Sequence, residues 1–342
     1  MTAPSAEPLL RVRDLQVHFP VGGGLLGARR VVRAVDGVSF DIARGRTFGI
    51  VGESGSGKST TALAVMRLVT LSGGTIRLGQ DNIGALQGEA LRRVRRRFQI
   101  VFQDPFAALN PRKRAGDAVL EALELMQVGD PASRPLRARE LFEQTGLRPE
   151  QWALFPHQFS GGQRQRIVLA RALAAQPELL VCDEPVSALD VAIQAQILNL
   201  MRRLQQSLGL TCLFISHDLG VIRHMCDDIA VMYLGQIVEQ ASRETLFQRP
   251  LHPYTRALWS AAPSFDPGAR SRHGRLRLQG DPPSPIDVPP GCRFAGRCPH
   301  ALPLCHTQAP ALRELGGGQR VACHRVDDSA TPLYPALPGD RS

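Results

Sequence analysis

A chain of 342 residues, 43% hydrophobic and 21% charged, has room for one large domain and a smaller one at about 150 residues per domain. No run approaches the roughly 18 consecutive apolar residues of a membrane-spanning helix, and the amino terminus MTAPSAEPLLRVRDL lacks the basic-then-apolar pattern of an export signal, so a cytoplasmic location is expected. The net charge of +10 admits nucleic acid, an anionic membrane, a polyanionic ligand or a merely solvated surface. The run Arg92, Arg93, Arg95, Arg96, Arg97 has no aromatic residue between its charges and makes a poor stacking platform for single strands.

Residues 9–250 alternate short apolar runs with helical patterns, which predicts an α/β domain with a mainly parallel sheet. Thr47–Val51, Gln99–Phe102, Leu179–Cys182 and Thr211–Ile215 are almost continuously apolar, as strands buried on both faces are. Thr60–Leu68, Ala115–Gln127, Leu136–Gly146 and Gln163–Ala175 read as helices, with punctuation at Gly129, Pro131 and Pro149. Gly22–Gly24 and Gly316–Gly318 read as loops. After Pro250 the chain becomes rich in Pro, Gly and Cys, and long periodic helices end near Ala262. A boundary near 250 therefore divides a domain over 8–250 from an extension over 251–342.

GESGSGKS, Gly52 to Ser59, lies between the strand Thr47–Val51 and the helix that follows, as G-x-x-x-x-G-K-[ST] requires. Glycines let successive N–H groups point into one concavity that holds phosphate oxygens, and the helix adds its positive end. The predicted ATP-contacting set is Gly52, Glu53, Ser54, Gly55, Ser56, Gly57, Lys58, Ser59 and Thr60, with Lys58 on the β- and γ-phosphates and Ser59 on Mg²⁺.

Downstream, ELLVCDEP places Asp183 and Glu184 at the carboxyl end of a strand, the edge where open parallel sheets bind ligands. Asp183 is placed to hold Mg²⁺ and Glu184 to polarise the attacking water. Gln103, at the end of FQIVFQ, offers a neutral ligand for Mg²⁺ or water, and His217, at the end of LTCLFIS, a hydrogen bond to the γ-phosphate. In FSGGQRQR, Ser160, Gly161, Gly162 and Gln163 form a second anion-binding helix tip. An ordinary serine cap would explain Ser160 alone and not the pentapeptide. Two phosphate devices for one nucleotide are reconciled if each chain lends its tip to the ATP of a second chain. SALD, ending at Asp190, is placed to relay that contact.

With these motifs in this order, the chain resembles the ATP-binding-cassette (ABC) ATPases. It is most similar to the oligopeptide/dipeptide importer branch, through HFPV, VVRAVDGVSFDI, FQDPFAALNPR, PHQFSGGQRQRI, DEPVSALDV, FISHDLGVI, LHPYTRAL and PPGCRFAGRCP. The resemblance implies a RecA-like P-loop core with an antiparallel β subdomain, a helical signature subdomain and a small Cys-rich carboxyl-terminal extension. It implies Glu184 as catalytic base, His217 as γ-phosphate sensor, Ser160 and Gly162 on the partner's γ-phosphate, and an aromatic residue on adenine, for which Phe19 is the candidate. Phe159 stands where the family most often has Leu. A second ATPase subunit, two transmembrane permease subunits and an extracytoplasmic solute-binding protein are the implied partners, with the chain peripheral on the cytoplasmic side of the inner membrane.

Cys182, Cys212 and Cys226 read as core residues. Cys292, Cys298, Cys305 and Cys323, spaced C-x5-C-x6-C-x17-C, lack the C-x2-C pairs of a zinc ribbon. Their spacing leaves open a [4Fe–4S] cluster, Zn²⁺ with His300, His306 or His324 as substitute ligands, or free thiols. The family resemblance implies the cluster. The rival function is a nucleic-acid-handling ABC ATPase. The charge permits it, but no coiled-coil insertion, internal zinc module or second cassette is visible in the sequence.

Overall fold

The computed structural model describes residues 7–22, 30–261 and 280–326. Parts of the expected Gly22–Arg30 loop and of the expected extension, 23–29, 262–279 and 327–342, lie outside the described residues.

Two sheets organise the chain. β1 (Pro8–Val21), β2 (Arg30–Ala43) and β4 (Gly73–Leu78) form an antiparallel sheet in the order β2-β1-β4. The main sheet contains β3 (Thr47–Val51), β5 (Phe98–Val101), β6 (Leu179–Asp183), β7 (Thr211–Ile215), β8 (Asp228–Tyr233), β9 (Gln236–Ser242), β10 (Arg313–Glu314) and β11 (Arg320–Val321). Its order is β10-β11-β9-β8-β3-β7-β6-β5, parallel from β8 to β5 and antiparallel beyond.

The continuous apolar runs acquire their meaning here. Ile50, Val181, Leu213 and Ile215 face one core with Val12, Val38, Phe40 and Ala62. Val51, Leu180, Cys182, Cys212 and Phe214 face the opposite core with Phe142, Ile167 and Leu200. Alternate residues of each strand thus point to opposite faces, and both faces are covered.

Helices α1 (Lys58–Val65), α2 (Gly88–Val94), α3 (Pro105–Ala108), α4 (Ala115–Leu125), α5 (Arg134–Gln144) and α6 (Gly161–Ala174) precede β6. The apolar residues of α5 recur at helical spacing, and Ala138, Leu141 and Phe142 are buried together. α4, α5 and α6 pack on one another as a helical lobe. Gly116 permits the close approach within it, because a Cβ there would stand 2.0 Å from Trp152. After β6 come α7 (Val191–Leu208), α8 (Leu219–Met225), α9 (Arg243–Gln248) and α10 (Pro253–Ala261). No described helix is long and apolar enough to cross a membrane.

The chain beyond 250 returns to the main sheet, with Arg320 and Val321 pairing with Gln240 and Glu239 of β9. Glu239 is fully buried. Its carboxylate accepts the N–H of Leu251 at 2.7 Å, the N–H of His252 at 3.0 Å and Nε2 of Gln319 at 2.7 Å. One side chain therefore joins β9, the approach to α10 and the residue before β11. Glu239→Ala would leave the N–H groups of Leu251 and His252 buried and unpaired, and is expected to cost about 3 kcal/mol of stability, read as a lowered denaturant midpoint.

His252 beside it is also buried, and burial pushes its pKa down to about 3. Its Nδ1 accepts the N–H of Tyr254 at 3.1 Å, so the folded ring is held neutral. A depressed folded value means that its contribution is complete above the ordinary value of about 6.5 and is lost as pH falls toward 3. Acid denaturation is accordingly expected to be shallower over that window in His252→Gln, measured relative to its own stability at pH 7.

Candidate nucleotide site

The phosphate loop leaves β3 at the carboxyl edge of the sheet and feeds α1, which begins at Lys58 rather than at the expected Thr60. Two glycines are fixed by close approach. A Cβ on Gly52 would stand 2.2 Å from the carbonyl oxygen of Met232, and one on Gly57 would stand 2.2 Å from that of Ala34. Gly57 also has φ of 103°, in the left-handed region.

Lys58 is buried, with Nζ donating to the carbonyls of Gly52 and Glu53, both at 2.8 Å. Burial lowers its pKa, and the carboxylates of Glu184, Asp183 and Glu53 oppose that shift. The ammonium is thus held at the loop by carbonyls and carboxylates, poised for phosphate oxygens.

Parallel pairing of β6 with β7 and β5 gathers the other candidates at this edge. Ser59 Oγ donates to Asp183 Oδ1 at 3.0 Å. Burial raises the Asp183 pKa, while the Ser59 hydrogen bond and the Lys58 charge lower it. A half-buried carboxylate beside a hydroxyl is a hard oxygen donor set that a divalent cation such as Mg²⁺ fits.

Glu184 follows with φ of 48°, an uncommon conformation for a residue with a side chain. Its N–H is tied to the Ile215 carbonyl at 2.9 Å, and its own carbonyl accepts from Ser187 Oγ at 3.1 Å. This kink turns the carboxylate toward His217, with Glu184 Oε1 2.9 Å from His217 Nδ1. Glu184 is 17% exposed at its side chain against 59% for His217, so carboxylate and imidazole form one pair with the histidine outermost.

β5 ends at Val101, opposite Cys182, one residue earlier than expected. Gln103 therefore lies two residues past the end of β5, exposed in a bend at the same sheet edge. Phe19 pairs with Val32, two residues along β2 from the Ala34 that touches Gly57. It is 39% exposed, on the strand pair that flanks the phosphate loop.

Ser160 caps α6, which starts at Gly161 rather than at the expected Gln163. Ser160 Oγ accepts the Gln163 N–H at 3.3 Å, and Gln163 Oε1 accepts the Ser160 N–H at 3.0 Å, a reciprocal capping box. The glycines have a packing reason as well. A Cβ on Gly162 would stand 2.5 Å from Ile193, and one on Gly161 would stand 3.0 Å from Leu189. The tip thus packs on the SALD segment and on the start of α7, whose exposed Asp190 occupies the cap position. Sequence reasoning missed Arg164, whose guanidinium lies over the Phe106 ring at 3.5 Å and donates to the Pro156 carbonyl at 2.7 Å. It joins the signature helix to the segment that follows Gln103.

The expected centre at Cys292, Cys298, Cys305 and Cys323 gains no support from the arrangement of ligands. Among the described residues, no group of three or more His, Cys, Asp or Glu side chains is arranged to hold a metal ion. Instead each sulfur accepts backbone N–H: Cys292 from Phe294, Cys298 from His300, Cys323 from Arg325 and Val326, and Cys305 from Leu302 at 3.4 Å. Burial, together with the charges of the neighbouring cysteines, pushes the Cys292 thiol up to about 11 and raises Cys298 and Cys323. Of the histidines proposed as substitutes, His324 Nε2 engages the Gln308 carbonyl at 3.0 Å.

A phosphate loop, a Ser59–Asp183 contact, a Glu184–His217 pair and a glycine-tipped signature helix on this mixed sheet define an ATP-binding cassette. Residues 35–187 match the ABC transporter family and residues 238–305 the family of oligopeptide/dipeptide transporter carboxyl-terminal regions. The chain is 51% identical over 318 residues to a putative peptide import ATP-binding protein of Brucella ovis, covering 93% of this chain and 98% of that one. It is 47% identical over 327 residues to the oligopeptide transport ATP-binding protein AppF of Bacillus subtilis, covering 95% and 99%. A dimeric cassette solved in a post-hydrolysis state with ADP and Pi superposes with a TM-score of 0.60 at 26% identity, over 68% of this chain and 98% of that chain. The chain belongs to the ABC transporter ATPases, within the oligopeptide/dipeptide importer ATP-binding family. It is an ATPase. The nucleic-acid reading finds no support in these relatives.

Proposed function

We propose that this ATPase powers the import of oligopeptides or dipeptides, docked as a peripheral subunit beneath two permease subunits and served by an extracytoplasmic solute-binding protein. Residues 8–250 carry the ATP chemistry in this reading, and 251–342 brace it. Lys58 and the loop Gly52–Thr60 grip the phosphates, while Phe19 stacks on adenine. Ser59, Asp183 and Gln103 hold Mg²⁺, which supplies charge neutralisation on the phosphates when bound. Glu184 takes the proton of the attacking water, and His217 holds both Glu184 and a γ-phosphate oxygen.

The observation that carries the reading is the placement of Ser160–Gly162 against Leu189 and Ile193. A tip suited to anions is seated on the SALD segment and on α7, and in this reading a second cassette completes the site. Asp190, in the segment beneath that tip, relays closure between the two cassettes. Purification from solubilised membranes tests the proposal. Permease subunits should copurify, and ATPase activity of the assembly should rise with peptide-loaded binding protein. Copurified nucleic acid without permeases would contradict it.

For the carboxyl-terminal cysteines, the N–H donors to all four sulfurs support a soft metal centre at Cys292, Cys298, Cys305 and Cys323, since such donors stabilise thiolates. A [4Fe–4S] cluster is the first choice and Zn²⁺ the alternative. Protein prepared without oxygen is expected to be brown, with about four irons per chain. Colourless, metal-free protein with four titratable thiols in this segment would exclude the centre.

A further inference from the structure

The segment Cys292–Cys298 carries an arginine just inside each end; Arg297 reaches the phosphate loop itself and Arg293 the Leu234–Gly235 turn that contacts it. Arg297 is nearly buried and ion-pairs with Glu53 of the phosphate loop. Nη1 donates to Glu53 Oε2 at 2.7 Å and Nη2 to Oε1 at 3.2 Å, a two-pronged grip. The N–H of the same Glu53 donates to Tyr254 Oη at 2.8 Å, so this loop residue is held by side chain and backbone together. Tyr254 is fully buried and packs edge-on against Tyr233, with ring centroids 4.7 Å apart. The tyrosine that holds Glu53 is therefore itself immobile.

Arg293 forms the second brace. It donates to the carbonyl of Leu234 and pairs with Asp36. The next residue of that turn, Gly235, donates its N–H to the Ser56 carbonyl at 2.8 Å. Two arginines on one short turn thus support the phosphate loop at Glu53 directly and at Ser56 through Gly235. A phosphate loop binds by aiming its backbone N–H groups, so the pose of Glu53 and Ser56 decides how many of them converge.

We infer that Arg297, together with Tyr254, is a positioning residue for ATP: the carboxyl-terminal lobe holds the phosphate loop in its binding pose through Glu53. The inference rests on this loop being the nucleotide site, and Lys58→Met separates the two ideas because it weakens binding severely whether or not the brace matters.

The test measures Mg-ATP affinity by calorimetry on the full chain. Arg297→Met is expected to raise Kd about tenfold, and Glu53→Gln by a similar factor. The double variant should be no weaker than the weaker single one, since both remove one contact. Arg297→Lys should recover part of the loss, and in steady state Arg297→Met should move KM for ATP more than kcat. Should Arg297→Met fold poorly, Tyr254→Phe removes only the acceptor oxygen, and a loss of about threefold is expected. Affinity within twofold of the parent in folded Arg297→Met or Tyr254→Phe, or losses that multiply in the double variant, would overturn the inference.

Discussion

Glu184→Gln is expected to lower ATP turnover by about 10²–10⁴-fold, the usual contribution of a positioned general base, while Mg-ATP still binds. The geometry explains why binding survives. The kinked backbone at φ of 48° is held by Ile215 and Ser187, neither of which senses the side chain. Glutamine has the same shape and can still engage His217 Nδ1, now 2.9 Å from Oε1. Only the capacity to take a proton from water is lost. Closed, ATP-loaded dimers should therefore accumulate, measured as a Mg-ATP-dependent rise in mass by light scattering on the assembled cassettes. Turnover at the parent rate would remove Glu184 from its role.

Lys58→Met is the second large effect, and it acts on binding itself. The ammonium is buried and meets two loop carbonyls, and Glu184, Asp183 and Glu53 are close enough to oppose the lowering of its pKa. Methionine keeps most of the aliphatic stem but leaves Asp183 and Glu184 without this counter-charge and the phosphates without their cation. Removing one partner of such a desolvated charge set typically costs about 2–5 kcal/mol. Mg-ATP affinity is expected to fall about 100-fold or more by calorimetry, with the fold intact by circular dichroism. Retained affinity would place the triphosphate elsewhere.

How much of this was readable in the sequence depended on distance along the chain. Thr47–Val51 and Thr211–Ile215 emerged with the expected bounds, because strands buried on both faces have only apolar residues to show. Helix starts were less clear. α1 and α6 begin earlier than the apolar periodicity suggests, because Lys58 and Gly161 are helical for backbone reasons. The candidate ATP-site residues could be named from the sequence because each motif is local and its spacing is chemical.

Contacts between motifs were not readable. Nothing in PPGCRFAGRCP reveals that Arg297 grips Glu53, some 244 residues away. Nothing in the sequence around Glu239 reveals that its carboxylate joins three segments. Nor did the cysteine spacing reveal that the sulfurs turn to backbone N–H groups.

The claim on which most depends is that the lysine loop of one cassette and the Ser160 helix tip of the other enclose one triphosphate. It is tested most directly with a photoreactive ATP analogue modified at the γ-phosphate, in assemblies pairing a Lys58→Met chain with an unaltered partner cassette. The account predicts that the analogue labels Ser160–Gln163 of the Lys58→Met chain, because the nucleotide sits on the partner's loop. Labelling of that peptide only when Lys58 of the same chain is intact would contradict it.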